Sequence, residues 1–399
     1  MTPPPAPPDR CDISLVVNTH QRPRHLALVL ESIAAQEGVA GRFDVVVSDD
    51  GSTDDTAAVV DAFATRVPFP VRFTTSPRDG FRLARVRNRG ATLAGGDSLL
   101  FLDGDCILPP DHVAAYLERR RPRGALLGYC ARLPEAASHD LRPGAVAWGV
   151  VQQRIPAAER RALARRCRKA RWYTWLRHPD KPRLAGGNFL VWRDDFRAVN
   201  GFDERFRGWG QEDDDLGLRL RAAGVRLETI LDRTFSCHVW HPTDPTAGSR
   251  WCDGPNVAYF LRRGRLTTCR HGLVERPAGA IRWGLPPDLE ATPVGRAVAT
   301  ALAGAPCADE DQPCEIEIMV ETVASALRRA RFRRRAECRL LLVPAAAPSA
   351  EQAAHEQAAQ HRGSQKKATP RGSHRLRRQA DRIVPVDPEG VAAVLADIG

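Results

Sequence analysis

No stretch of this 399-residue chain is apolar over the roughly 20 residues that a helix needs to cross a bilayer. The N-terminus, MTPPPAPPDRCD, lacks the apolar core of a secretory signal and reads as a proline-rich disordered leader over residues 1–11. A cytoplasmic protein is therefore expected. None of the ten cysteines forms a C-x-x-C pair, so the common zinc and dithiol patterns are missing, and reduced thiols, several of them buried, are expected in place of a disulfide framework. No internal repeat is present, which argues against solenoid and propeller architectures. Acidic residues are in deficit, 48 against 59 Lys and Arg, leaving a formal net charge of +11. That excess suits anionic partners such as nucleotides, phospholipid surfaces or nucleic acid. No recognisable nucleic-acid-reading motif accompanies it, so nucleic acid is not the expected partner.

What is present is a regular alternation. Residues 13–17, ISLVV, form a continuous apolar run of the kind a buried parallel strand needs. A helical pattern follows over 24–36, then a strand at 43–47, a helix ending near Phe63, a strand at 71–75, an arginine-rich helix over 81–94 and a strand at 98–102. A helix over 111–121, strands at 125–129 and 184–191, a short helix at 194–199 and a strand at 226–230 continue the series. Strands alternating with helices predict an α/β fold, a Rossmann-like, mixed but mostly parallel sheet with helices on both faces. Ligands of such sheets bind beyond the carboxyl ends of the strands. Three polar clusters, at 18–22, 48–54 and 103–105, fall there together. Residues 157–177 read as a very basic helix that ends in Trp172, Trp175 and Leu176, a surface suited to an anionic acceptor or to peripheral contact with the inner membrane face. After residue 277 the acids and histidines stop clustering. A small C-terminal α/β region is expected over 278–399, with strands at 315–319 and 339–343, a basic helix over 320–335, a flexible stretch at 344–380 and a strand and helix over 383–398.

The densest chemistry lies in Gly208-Trp209-Gly210-Gln211-Glu212-Asp213-Asp214-Asp215, four carboxylates opening an apolar helical pattern. Acids in a first turn are favoured by the helix dipole. Consecutive helical side chains diverge by about 100°, so one or two should enter a cleft while the others face solvent or cap the helix. Upstream, Asp103-Gly104-Asp105 follows a strand; downstream stands Cys237-His238-Val239-Trp240-His241-Pro242. Asp105 with His241 would hold a cation through one oxygen and one nitrogen, a set suited to Mn²⁺, with His238 as the competing ligand. Such a cation offsets charge on a departing nucleoside diphosphate. Asp213 would accept a proton from an attacking hydroxyl, Glu212 would hydrogen-bond the acceptor sugar, Asp50 would accept from a base imide or a ribose hydroxyl, and Arg22, Arg82 and Arg85 would meet phosphates. Direct displacement at an anomeric carbon inverts its configuration.

These motifs resemble glycosyltransferase family 2, with the nucleotide-sugar fold called GT-A. Residues 45–54 are similar to its nucleoside-binding segment, residues 100–105 to its DxD motif, and residues 85–90 to the Arg-Asn segment between them. Gly186-Gly187-Asn188, Gly201-Phe202-Asp203-Glu204 and Gly208–Asp215 resemble the catalytic half of β-1,4-galactosyltransferases and of bacterial chondroitin polymerases. The resemblance covers roughly residues 12–245, within a GT-A domain expected over 12–277, and implies an enzyme moving a hexose or N-acetylhexosamine from a UDP-sugar to a glycan or lipid-linked acceptor in polysaccharide biosynthesis. It implies Mn²⁺ (or Mg²⁺) on Asp105 and His241, and Asp213 as base with Glu212 beside it. The nucleotide sugar would lie along Thr19, Arg22, Asp49, Asp50, Arg82, Arg85, Asn88, Asp103, Gly187, Trp209 and Asp214, with Asp50 on uracil and Asp214 also shaping the acceptor site. Gly104 departs from the bulkier residue often found inside DxD. A basic nucleic-acid-binding protein and an inactive GT-A scaffold are the alternative readings.

Overall fold

The computed structural model describes residues 10–144, 147–242, 253–261, 265–286, 290–302, 314–320, 336–343 and 380–385. The chain divides into two units, residues 1–261 with 271–274, and residues 262–270 with 275–399.

In the first unit β1 (Cys11–Thr19) runs parallel between β2 (Phe43–Asp49) and β4 (Gly96–Asp103), and β3 (Val71–Thr75) extends the sheet beside β2. Two faces of β1 are used. Ile13, Leu15 and Val17 point into a core shared with α1 (Pro23–Ala34) and α2 (Thr56–Ala64), while Val16 packs on the opposite side with α3 (Leu83–Leu93). This period-2 division is why a continuous apolar run is needed: both sides are covered, and each fully buried Val, Leu or Ile contributes about 1.5–3 kcal/mol. After β5 (Cys106–Ile107) and α4 (His112–Arg119), the sheet is completed by β6 (Gly124–Leu127), β8 (Asn188–Trp192) and β9 (Arg226–Thr229), in the order β3-β2-β1-β4-β8-β6-β9. β8 is antiparallel to both β4 and β6, so the sheet is mixed and mostly parallel as expected.

A second, three-stranded sheet does not follow from the sequence. It joins β5, β10 (Ser236–His238) and β7 (Cys130–Arg132) in the order β5-β10-β7. Its strands of two or three residues are too short for an alternation pattern to register. They matter because His238 pairs with Cys106, one residue past Asp105. Helices α5 (Glu135–His139), α6 (Trp148–Gln153) and α7 (Ala157–Trp175) accompany this sheet over a core of Ile107, Ala131, Val151, Leu163, Cys237 and Val239. Cys11, Cys106, Cys130, Cys167 and Cys237 are free thiols. Among the described residues no helix is long and apolar enough to cross a membrane.

Helices α8 (Arg193–Ala198) and α9 (Glu212–Ala222) follow β8, and α10 (Pro255–Phe260) follows β10. Gly208 and Gly210 take φ of 80° and 100°, and Gln211, at the N-cap of α9, takes 72°. The Gln211 side chain makes no capping hydrogen bond. The expectation that spare acids face solvent is corrected here, since Glu212, Asp214 and Asp215 are buried. Asp215 is fully buried, 2.7 Å from the guanidinium of Arg219 one turn on. Asp214 lies 3.4 Å from Arg183, and Asp213 reaches Arg87. The 100° steps do separate the carboxylates, but Asp213, Asp214 and Asp215 each meet a different arginine, and Arg87 and Arg219 among these are buried.

The second unit holds a parallel sheet in the order β11 (Trp283–Gly284), β12 (Cys314–Val320), β13 (Ala336–Val343) and β14 (Arg382–Pro385), with α11 (Pro293–Leu302). Trp283, Val298, Ile316, Ile318, Leu340 and Leu342 form its core. The strands expected at 315–319 and 339–343 are present, and β14 contains the strand expected near 383. The expected helix over 320–335, nearly all of the 344–380 stretch and the final helix lie outside the described residues.

Arg219 also donates to the carbonyls of Val199 and Gly201, at 2.7 and 2.8 Å. Arg219→Met should strand the Asp215 charge and lower unfolding free energy by about 3–5 kcal/mol in urea denaturation. The double change with Asp215→Asn should recover part of the loss; an unchanged urea midpoint for the single variant would contradict this account.

Candidate active site

The site grows from the end of β4. Asp103 and Asp105 flank Gly104, whose backbone N–H donates to the carbonyl of Asn18 at 2.8 Å. A Cβ on Gly104 would sit 2.9 Å from that oxygen and 3.2 Å from Thr19, so the glycine is required by close approach to β1. Beyond it, Asp105 lies 3.2 Å from His241 Nε2, 3.6 Å from His238 Nε2 and 3.3 Å from Arg22 Nη1. The backbone N–H of Val239 donates to the Asp105 carbonyl at 2.8 Å, locking the histidine-bearing segment against the strand end. Burial pulls the Asp105 carboxyl upward, but the His241 hydrogen bond and the charges of His238, His241 and Arg22 prevail and hold its pKa at about 2. The Asp105 hydrogen bond in turn raises the His241 pKa against its partial burial. Ligand atoms of Asp105, His238 and His241 all lie within 4.8 Å of one another, a group able to hold a metal ion. One oxygen and two nitrogens are a donor set suited to a divalent metal ion. The sequence leaves His238 and His241 as competitors; the geometry admits both.

Next to this group stands a residue that sequence reasoning did not single out. Arg87 is buried on α3 and donates to Asp213 Oδ1 at 2.6 Å, to Asp103 Oδ1 at 3.1 Å and to Asn18 Oδ1 at 3.3 Å. Its guanidinium carbon lies 5.4 Å from the centroid of the Phe202 ring. The signal was available: Ala84, Arg87, Asn88 and Ala91 follow the spacing of an inward helix face, and all are buried. Gly186 and Gly187 make room for the assembly. A Cβ on either would fall 2.3 Å from a carboxylate oxygen, of Asp213 for Gly186 and of Asp103 for Gly187. Gly187 also has φ of 87°. Burial raises the Asp213 pKa against the Arg87 charge, and Asp103 adds to the rise. Glu212 is buried with its Oε2 atom unpartnered; burial first, then the Asp213 charge, push its pKa up to about 8.

The remaining candidates fall into two groups. At the ends of β1 and β2, Asp50 is buried, accepts from the backbone N–H of Arg82 at 3.3 Å and has its pKa raised by burial. Thr19 is buried with its hydroxyl unpartnered. Trp209 is 40% exposed, and Arg85 is exposed. Others are spent within the fold. Asp49 accepts from Ser52 N–H at 2.8 Å and Thr75 Oγ1 at 2.7 Å, which shapes the loop after β2. The Asn88 amide donates to the Phe202 carbonyl and Glu204 and accepts from Phe202 N–H. The Arg82 guanidinium pairs with Asp79 at 3.0 Å.

Glu212 binds its proton more tightly folded than unfolded, so stability linked to it is complete below pH 4.5 and is lost as pH rises toward about 8. Glu212→Gln should flatten that decline between pH 5 and about 8 in urea titrations of the ligand-free protein. Equal slopes in both proteins would show that the carboxyl is already ionised at neutral pH.

Residues 14–125 match the family model described as glycosyl transferase family 2, and residues 169–241 match the one described as N-terminal domain of galactosyltransferase. The chain is 33% identical over 236 residues to validoxylamine A glucosyltransferase of Streptomyces hygroscopicus subsp. jinggangensis, covering 54% of this chain and 52% of that one. It is 23% identical over 232 residues to chondroitin synthase of Escherichia coli, covering 55% and 33%. The chain thus spans about half or less of the length of these curated relatives. The solved structure of S. aureus TarS 1–349 in complex with UDP-GlcNAc is similar at a TM-score of 0.43 and 16% identity, over 62% of this chain and 63% of that one. Asp103 and Arg87 lie in the first matched segment and Asp213 in the second, so the segment similar to glycosyltransferase family 2 and the segment similar to the galactosyltransferase domain meet in one ion-pair cluster.

Proposed function

We propose that the first unit is an inverting, metal-dependent transferase that moves a hexose or N-acetylhexosamine from a UDP-sugar to a hydroxyl of a glycan or lipid-linked acceptor. The observation that carries this reading is the Arg87 bridge, which holds Asp213 beside Asp103 while Asp105, two residues on, groups with His238 and His241. In this reading Asp213 accepts the proton of the attacking hydroxyl, and the Arg87 charge favours its ionised form. The acceptor oxygen bonds to the anomeric carbon as the bond from that carbon to the diphosphate breaks, and the configuration inverts. Glu212, protonated at neutral pH, donates to the acceptor sugar. Asp50 accepts from the uracil imide, and Arg22 and Arg85 serve the phosphates, while the Arg82 guanidinium stays on Asp79. Mn²⁺ or Mg²⁺ on Asp105, His238 and His241 would supply Lewis-acid neutralisation of the departing diphosphate. The domain for this chemistry is residues 12–277, with 278–399 as an accessory region. A relative named as a glucosyltransferase supports a hexose donor, and one named as a chondroitin synthase supports a glycan acceptor.

Incubation with Mn²⁺ and a panel of UDP-sugars should give release of UDP and a product of opposite anomeric configuration. Asp213→Asn should keep donor binding and lose about 10²–10⁴-fold in kcat, the usual share of general-base catalysis. Folded protein that neither binds nor hydrolyses any donor would sink the enzyme reading in favour of a scaffold role, and full turnover by Asp213→Asn would remove Asp213 from the role of base.

A further inference from the structure

Helix α7 takes no part in the site, yet residues 157–177 carry eight cations and one acid. Its two faces are unlike. Leu163 and Ala170 are buried, the former in the core of the three-stranded sheet, and the Arg166 guanidinium carbon lies 3.6 Å from the centroid of the Tyr129 ring. On the opposite face Arg161, Arg165, Arg168, Trp172 and Trp175 recur at steps of four and three, so they form one stripe along the helix. All five are exposed. Trp172 is 58% and Trp175 76% exposed, and Leu176 beside them is 47% exposed. Among the described residues no acid pairs with any of the three stripe arginines. Three large apolar side chains in water at the end of a basic stripe are a standing cost unless something covers them.

We propose that this stripe docks the protein on an anionic lipid surface. The helix lies in the interface plane, its arginines meet lipid phosphates, and Trp172, Trp175 and Leu176 enter the boundary between headgroups and acyl chains. Charge of a single sign matches an anionic bilayer. The stripe is the outward side of a surface helix, which suits a flat partner better than one that needs a groove. Tryptophan, apolar in body with one polar N–H, fits the headgroup level. The inference is independent of the transferase reading, since none of these residues belongs to the site.

The test is co-sedimentation of the full chain with vesicles of phosphatidylcholine alone and of phosphatidylcholine with phosphatidylglycerol. Binding should require the anionic lipid and weaken with salt. Reversal of Arg161, Arg165 and Arg168 to Glu should lower partitioning about tenfold or more, as expected for loss of three headgroup contacts. Trp172→Ala with Trp175→Ala should also lower it, with circular dichroism showing each variant folded. Binding equal on both vesicle types, or unaffected by either set of substitutions, would overturn the proposal. So would capture of a soluble acidic polysaccharide through the same arginines with no vesicle binding.

Discussion

The first unit depends on one buried cation. Arg87 from α3 meets Asp213 from α9, Asp103 from β4 and Asn18 from β1, so four elements are bound to a single guanidinium. A charge taken out of water costs several kcal/mol unless its partners repay it. Here two carboxylates and an amide oxygen do so, and the fork geometry of arginine meets them from different directions. The same demand accounts for two glycines with no chemistry of their own. Gly186 and Gly187 leave the space that the Asp213 and Asp103 carboxylates occupy, and a methyl at either would collide with an oxygen.

Around this cation the fold sets carboxylates apart by environment. Asp105 faces two histidines and Arg22 and is held at a pKa of about 2, ready to bind a cation. Glu212 is buried beside Asp213 and rises to about 8, so it keeps its proton and offers a donor. Asp213 lies between these conditions, pushed up by burial and pulled back by Arg87. Opposite displacements of neighbouring acids are how one cleft acquires both an acceptor and a donor of protons at a single pH.

The strand and helix order of the main sheet was legible because its longer elements have enough residues to display their period. β3 over 71–75 coincides with its expected span, and α1, α3, α4 and α9 begin within two residues of theirs. The β5-β10-β7 sheet was not legible, because two or three residues show no alternation and its pairings join positions more than a hundred residues apart. The acidic run was misjudged in its surroundings: angular separation was read as separation into water, whereas Asp214 and Asp215 face arginines that lie 31 and 4 residues away.

The sequence alone determined the α/β class, the strands expected at 13–17, 43–47 and 98–102, and the acids and histidines available just past them, because local periodicity and turn chemistry do not require knowledge of the partner. Tertiary structure alone decided that His238 joins His241 on Asp105, that Arg87 binds Asp103 to Asp213, and that Trp172 and Trp175 share an outward face with three arginines above a helix face buried elsewhere. Burial and charge pairing are properties of what lies across the gap, and the chain records only what lies along it.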